Sequence, residues 1–237
     1  MKNSNRMIHR LLLGLLLAGA LLAPVHAGAA APSATVTGIP LDAPWKSTVY
    51  ALARATFRHP AWGWQHCERD YQLAVEVAKG DGLTLDTDVL FAAAFLHDMA
   101  AFPPYEQPKT EHGDVAAVKS EPILRDAGFP MAKFPAVQAA MREHMYYSKV
   151  GTIPEAIALH DADSLDFLGA AGAARMLALT GEAKPDIQPA LKSLRSFVTD
   201  IPPKLVTATA KRVGAQRAAE LARFLGSLRD ETFDTTI

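Results

Sequence analysis

The chain has 237 residues, of which 49% are hydrophobic and 21% charged, so it can bury a sizeable core and does not have the composition of a disordered segment. Its formal net charge of −1 argues against nonspecific binding to nucleic acid. Its single cysteine, Cys67, excludes an intrachain disulfide and a structural zinc site made of several thiolates.

The first 27 residues have the three parts of a secretory signal. Lys2, Arg6 and Arg10 form the basic start, residues 11–23 are apolar, and small residues lie around Val25-His26-Ala27. The apolar stretch is shorter than the roughly 20 residues that cross a bilayer, which makes an uncleaved anchor the weaker alternative. We expect cleavage after Ala27 and an exported mature chain of 210 residues, with no membrane span and a formal charge of −4. In a Gram-negative source the mature chain would be periplasmic.

The periodicity of the remaining sequence predicts an all-α fold. Residues 28–44, rich in Ala, Gly, Thr and Pro, predict a flexible leader, and residues 45–237 predict a single-domain helical bundle. We expect helices near Trp45–Arg58, Trp64–Lys79 (ending at Gly80), Asp86–Asp98, His112 onward after a Thr110 cap, Pro135–His144, Pro154–Phe167, Gly169–Thr180, Ile187–Val198 and Pro203–Leu228. A break is expected at Ser120-Glu121-Pro122.

The most informative feature is the pair His97-Asp98, which ends an apolar run that begins at Val89. A buried carboxylate costs several kcal/mol unless it is paired or bound to metal. A helix cap beside a core histidine is the alternative interpretation. Successive helical residues point about 100° apart, so both side chains can meet one ion only if the last turn opens.

Further nitrogen and oxygen donors are spread along the chain. His66 shares an inward stripe with Asp70, Leu73 and Val77 on the second helix, and His144 lies on the apolar face at a helix end. His112 and the segment Asp161-Ala162-Asp163 offer more. Mixed imidazole and carboxylate donors suit Mn, Fe, Co, Ni or Zn.

These motifs follow one another in a defined order. They are His66-Cys67-Glu68-Arg69, Phe95-Leu96-His97-Asp98, His144, and a segment that begins Asp161-Ala162-Asp163-Ser164-Leu165-Asp166. The ordered set resembles the HD-domain superfamily of metal-dependent phosphohydrolases over roughly residues 60–230. It is most similar to the bacterial branch that includes nucleotide pyrophosphohydrolases, except that Ser164 stands where close relatives usually have Arg.

The resemblance implies four metal ligands, His66, His97, Asp98 and Asp163. Asp161 would then be an outer carboxylate, although spacing alone leaves the reverse assignment open. His112 and His144 would hold a second ion or bind substrate, and we expect one ion rather than two. Manganese is the first choice of metal, with Fe, Ni, Co, Zn or Mg as alternatives.

The expected activity is hydrolysis of a small phosphate ester or phosphoanhydride, and the resemblance implies that nucleotides belong to this substrate class. Asp98 and His144 would be catalytic, and Arg69, His112 and His144 would contact substrate. Arg69 could instead pair with Asp70 or Glu76. Two other functions stay open, a di-iron oxygenase of HD type and a noncatalytic envelope binding module stapled by metal. The sequence does not give the oligomeric state.

Overall fold

The computed structural model describes residues 32–180, 186–233 and 235. Within these ranges the chain is helical, with one isolated antiparallel bridge between Ala34 and Pro40 and no strand, so the all-α prediction is confirmed. The α-helices are α1 (Pro44–Thr56), α2 (Trp64–Asp81), α3 (Thr87–Leu96), α4 (His112–Ala127), α5 (Phe134–Glu143), α6 (Pro154–Asp166), α7 (Gly169–Leu177), α8 (Gln188–Asp200) and α9 (Ala208–Glu231). The predicted signal, residues 1–27, lies outside the described residues, as do residues 28–31.

The second half of the predicted leader is packed against the helices. Ile39 and Leu41 are buried, and the Thr37 N–H donates to Glu68 Oε2 on α2 at 3.1 Å. These apolar side chains join the core around α1 and α3, which gives the segment a fixed position. Residues 32–44 were expected to belong to a flexible leader, whereas Ile39 and Leu41 within them are buried in the core.

Two helix ends differ from the prediction. α2 continues through Gly80 and ends before Gly82, whose φ of 68° gives the left-handed C-cap. α9 begins at Ala208 rather than Pro203, with Thr207 Oγ1 accepting the Ala210 N–H. Pro202–Lys204 forms a separate 3₁₀ turn, because the chain becomes extended at Leu205 before the cap.

α4 also departs from the expected pattern. It begins after Glu111 rather than after a Thr110 cap, and it continues through Pro122 instead of breaking there. A proline inside a helix removes the hydrogen bond to the carbonyl four residues earlier, here that of Val118. The Val118 side chain is 60% exposed, so this face of α4 meets solvent and the carbonyl has access to water.

Two apolar cores hold the helices together. The first surrounds α3, whose residues from Val89 to Leu96 are all buried between α1, α2, α4 and α5. The second is formed mainly by α7, α8 and α9, with Leu165 of α6 inserted into it. The polar end of α3 therefore projects between α2 and α6. In the described part of the chain, no helix combines the length and apolar character needed to cross a membrane.

Candidate metal centre

Four buried side chains from three helices converge at the end of α3. They are His66 and Asp70 of α2, His97 at the C-terminal end of α3, and Asp163 of α6, and one donor atom from each lies within 4.8 Å of the others. His66 Nε2 lies 3.0 Å from Asp70 Oδ2, 3.3 Å from Asp163 Oδ1 and 3.3 Å from His97 Nε2. This is a mixed nitrogen and oxygen donor set of the kind that holds a divalent transition metal.

Asp98 lies beside this group because the last turn of α3 opens, which is the condition for His97 and Asp98 to face one ion. His97 keeps helical angles, whereas Asp98 has φ −95° and ψ 7°, outside the α-helix. Asp98 Oδ2 lies 3.5 Å from His66 Nε2, and Oδ1 lies 3.3 Å from His112 Nε2. Its carboxylate therefore spans the space between the four-donor group and a further pair of histidines.

The further pair is His112 at the start of α4 and His144 at the end of α5. Their Nε2 atoms are 3.0 Å apart, and His144 Nε2 lies 3.8 Å from Asp98 Oδ1. His97, Asp98 and His144 form a second group able to hold a metal. The two groups share His97, and the number of ions stays a prediction.

Hydrogen bonds fix which ring nitrogen faces the centre. His97 Nδ1 lies 2.9 Å from the Ala94 carbonyl oxygen, and His144 Nδ1 lies 2.6 Å from that of Met141. A carbonyl oxygen only accepts, so Nδ1 carries the proton in each ring. The Nε2 lone pairs are left pointing at the donor groups, which is the arrangement of metal-binding histidines.

Asp166 orients His66 in the same way. It lies 2.8 Å from His66 Nδ1 and also accepts hydrogen bonds from Arg69 Nη2 at 2.9 Å and from Arg175 Nη1 at 2.8 Å. Arg175 is 4% exposed and its Nη2 lies 3.3 Å from His66 Nε2. The carboxylate thus joins a ligand histidine to two guanidinium groups.

The charges of this region call for a cation. Asp70, Asp98, Asp163 and Asp166 contribute four carboxylates, and two guanidinium groups balance only two of them. Both oxygens of Asp70 and Oδ2 of Asp163 accept no hydrogen bond from the described residues. Because unpartnered buried carboxylates are costly, the donor set fits a divalent ion, and it has the charge excess to match one.

The pKa values follow from the same environment. Burial raises the pKa of Asp70 well above its usual value, although His66 opposes the shift. Burial acts to raise the pKa of Asp98 as well, but the neighbouring histidines outweigh it and hold that pKa well below its usual range. Burial lowers the pKa of His97 to about 4, so its imidazole is neutral at pH 7 and available to a metal.

Comparison with known proteins places this geometry in a family. Residues 63–168 match the sequence model of the HD domain, a range that contains His66, Asp70, the His97-Asp98 pair and Asp163. This part of the chain is therefore similar to the HD domain. None of the curated protein sequences matches it.

Solved structures share the HD-domain fold at low sequence identity. A Lactobacillus plantarum protein is 21% identical with a TM-score of 0.60, over 81% of this chain and 98% of that one. Bacillus subtilis YpgQ, solved in complex with ADP, is 18% identical with a TM-score of 0.59, over 78% and 97% of the two chains. A predicted HD-superfamily hydrolase from an uncultured Thermotogales bacterium is 22% identical with a TM-score of 0.57, over 80% and 94%.

The four residues predicted as ligands lie close together, but Asp98 lies beside the four-donor group rather than in it. His66, His97 and Asp163 are in the four-donor group, whereas Asp98 lies at its side and Asp70 completes the group. Asp161 is elsewhere, since its two oxygens accept the Val206 and Thr207 N–H groups at 2.8 Å each and hold the start of α9. The geometry therefore favours Asp163 over Asp161 as a ligand.

The sequence did not identify three residues that lie in the site, Asp70, Asp166 and Arg175. Asp70 shares the inward stripe of His66, which was a usable signal, but its charged neighbours Glu68 and Arg69 suggest an exposed face. Asp166 and Arg175 gain their roles from packing of α6 and α7 against α2. Arg69, expected beside substrate or paired with Asp70 or Glu76, instead gives Nε and Nη2 to Asp166.

Proposed function

We propose that this protein is an exported, metal-dependent hydrolase of phosphate esters or phosphoanhydrides. The observation that carries the proposal is the convergence of His66, Asp70, His97 and Asp163 in a buried group with Asp98 at its edge. A divalent ion held by this HD-domain site would polarise a phosphoryl oxygen and lower the pKa of its bound water, which is the chemistry that phosphate hydrolysis needs.

Substrate would approach from the side of His112, the most exposed of the four histidines around Asp98. The His112 side chain is 29% exposed, compared with 1% for His144. The guanidinium of Arg69 is also accessible, with a side chain that is 37% exposed. Arg69 and His112 can therefore contact an anionic substrate while the buried histidines stay with the metal.

Orientation of the water and proton transfer can be assigned to Asp98 and the histidine pair. Its depressed pKa keeps Asp98 a carboxylate at neutral pH, so Asp98 can orient the attacking water by accepting a hydrogen bond from it. Burial acts to lower the pKa of His112, but Asp98 and Glu111 outweigh it and raise that pKa, so His112 can carry a proton for the leaving oxygen. Burial lowers the pKa of His144, which suits it to binding rather than to proton donation.

The substrate class is supported by one neighbour. YpgQ shares the fold and was solved with ADP, a nucleoside phosphoanhydride. Ser164 is buried and donates to the His160 carbonyl at 2.6 Å, so it offers no contact to phosphate. We therefore place nucleotides within the substrate class without excluding simpler phosphate esters, and we propose manganese as the metal.

The test uses the mature chain, residues 28–237, purified without chelator. Bound metal is measured by elemental analysis. In the presence of Mn²⁺, phosphate or pyrophosphate release is followed with an aryl phosphate, ADP and ATP, and phenol release is followed with an aryl phosphodiester. We expect turnover that Asp163→Asn abolishes and that Asp126→Asn, an exposed control on α4, leaves unchanged. Oxygen uptake with Fe²⁺ and no phosphate release would favour an oxygenase, and metal binding with no turnover would favour a binding module.

Export is a separate part of the proposal. It depends on residues 1–27, with their basic start and apolar stretch. Expression of the full chain in a Gram-negative host should give a periplasmic product whose mass corresponds to a chain beginning at Gly28. A cytoplasmic product that keeps Met1 would contradict it.

A further inference from the structure

Asp70 is the donor in the centre for which the structure offers no other use. Its side chain is 0% exposed, and neither oxygen accepts a hydrogen bond from a described residue. Oδ2 instead lies 3.0 Å from His66 Nε2 and 3.6 Å from His97 Nε2. The carboxylate is thus aimed at the nitrogen atoms that face the candidate metal.

Neutral histidines cannot satisfy this carboxylate. His66 already commits Nδ1 to Asp166, and His97 commits Nδ1 to the Ala94 carbonyl. Each neutral ring has one N–H, so Nε2 of both rings has no proton to give to Asp70. Only an added cation, a proton or a metal ion, can compensate the charge.

Asp163 makes the need for a cation stronger. Its donor oxygen lies within 4.8 Å of that of Asp70, and its Oδ2 also lacks a hydrogen-bond partner. Two carboxylates at this separation in a buried site repel each other unless a positive charge lies between them. Helix geometry puts Asp70 one turn after His66, so both side chains reach the same point from one face of α2.

We propose that Asp70 is a direct metal ligand, so that α2 supplies two ligands, one imidazole and one carboxylate. This inference rests on the proposed metal site and adds Asp70 to the four ligands that the resemblance implies. Asp70 would join His66, His97 and Asp163 around the ion, and Asp98 would face both this ion and the His112–His144 pair. An additional carboxylate favours an oxygen-preferring metal such as Mn²⁺.

The inference is tested by Mn²⁺ binding to the mature full chain, measured by calorimetry, together with thermal unfolding in EDTA. Asp70→Asn keeps the shape and a weak neutral oxygen, whereas Asp70→Leu removes every donor atom. Loss of an outer partner of a ligand typically costs about 10- to 100-fold in metal affinity. We expect the dissociation constant for Mn²⁺ to rise about 10-fold or more for Asn and about 100-fold or more for Leu. In EDTA both variants should be at least as stable as the wild type, because the repulsion with Asp163 is gone.

Glu68→Gln is the matched control. Glu68 is a second buried carboxylate on α2 with one unpartnered oxygen, but its other oxygen accepts the Thr37 N–H and it is not in the donor group. Its Mn²⁺ affinity should stay within about twofold of the wild type, well below the change expected for a ligand. If Glu68→Gln lowers the affinity for Mn²⁺ as much as Asp70→Asn does, the assignment of Asp70 as a ligand is wrong.

Other outcomes separate the inference from the proposal beneath it. If both Asp70 variants bind Mn²⁺ within tenfold of the wild type, or if both are unfolded in EDTA, Asp70 is a structural partner of His66 and the inference is wrong. If the wild type itself binds no divalent transition metal, the proposed hydrolase site is wrong as well.

Discussion

Replacement of Asp166 by Asn should destabilise the metal-free protein strongly. Asp166 is the last residue of α6, where the helix dipole disfavours a negative charge, so the guanidinium groups must hold it there. Their electrostatic effect, with that of His66, outweighs burial and lowers the pKa of Asp166 below its usual value. The amide of Asn would leave Arg175, which is 4% exposed, without its anionic partner.

The magnitude follows from the burial of each partner. Loss of one member of a buried ion pair typically costs about 3–5 kcal/mol, whereas a half-exposed pair contributes less than about 1 kcal/mol. The pair with Arg175 is buried, so its loss should carry the larger cost. The pair with Arg69, whose side chain is 37% exposed, is closer to a half-exposed pair because water can solvate the guanidinium. We expect a loss of about 3 kcal/mol, which corresponds to about 6–12 °C in Tm for a domain of this size.

The assay is thermal and urea unfolding followed by circular dichroism in EDTA. The double variant Asp166→Asn/Arg175→Met removes the stranded cation and should be more stable than Asp166→Asn alone. Asp161→Asn provides a buried carboxylate on the same helix with no guanidinium partner. The reasoning is refuted if Asp166→Asn costs no more than Asp161→Asn, or if the double variant is the least stable of the three.

Three further predictions concern the start of α9, the contact between α4 and α5, and the start of α3. Asp161→Asn should lower Tm by loosening the start of α9 while Mn²⁺ affinity stays within about twofold, and a large loss of affinity with little change in Tm would make Asp161 the ligand. Gly113→Ala should lower Tm and weaken metal binding, because the added Cβ would lie 2.6 Å from the Met141 carbonyl oxygen and push α4 away from α5. Gly226→Ala is the control, since its Cβ would lie in open space, and it should not lower Tm. Asp88→Asn should lower Tm at pH 7: burial acts to raise the Asp88 pKa, but ion pairs with Lys133 at 2.8 Å and Lys46 at 3.2 Å outweigh it and lower that pKa. Such a contribution is present above the unfolded pKa of about 3.9 and is lost as the pH falls through the folded pKa, so the Tm difference should vanish in strong acid, and a difference that persists there would contradict the assignment.

The parts of the fold that the sequence predicts well depend on local patterns. The run from Val89 to Leu96 is apolar at every position, so its burial and the ionisable pair that follows it are visible without a structure. Pro154 and Gly169 likewise give the starts of α6 and α7 within a residue. Such signals lie within one or two helical turns of the residues they describe.

The parts that the sequence does not predict depend on distant contacts. Asp70 is buried because α6 packs on α2, and Asp166 contacts His66, 100 residues away in the chain. Ile39 and Leu41 look like a loose leader until the core that covers them is known. Pro122 suggests a break, but the exposed face of α4 tolerates the lost hydrogen bond.

The segment Asp161-Ala162-Asp163 limits where the chain can be cut without disturbing the candidate metal centre. Asp163 belongs to the four-donor group, whereas Asp161, two residues earlier, accepts the Thr207 N–H at the start of α9. These two carboxylates of α6 therefore connect the candidate metal centre to the C-terminal helices. Arg175 reaches the same centre from α7, beyond Leu168, the last residue of the family match. A fragment cut at that boundary would keep every motif of an HD domain but lose Arg175, the buried one of the two guanidinium groups that pair with Asp166. The residues that build the candidate metal centre therefore extend beyond the range that matches the family.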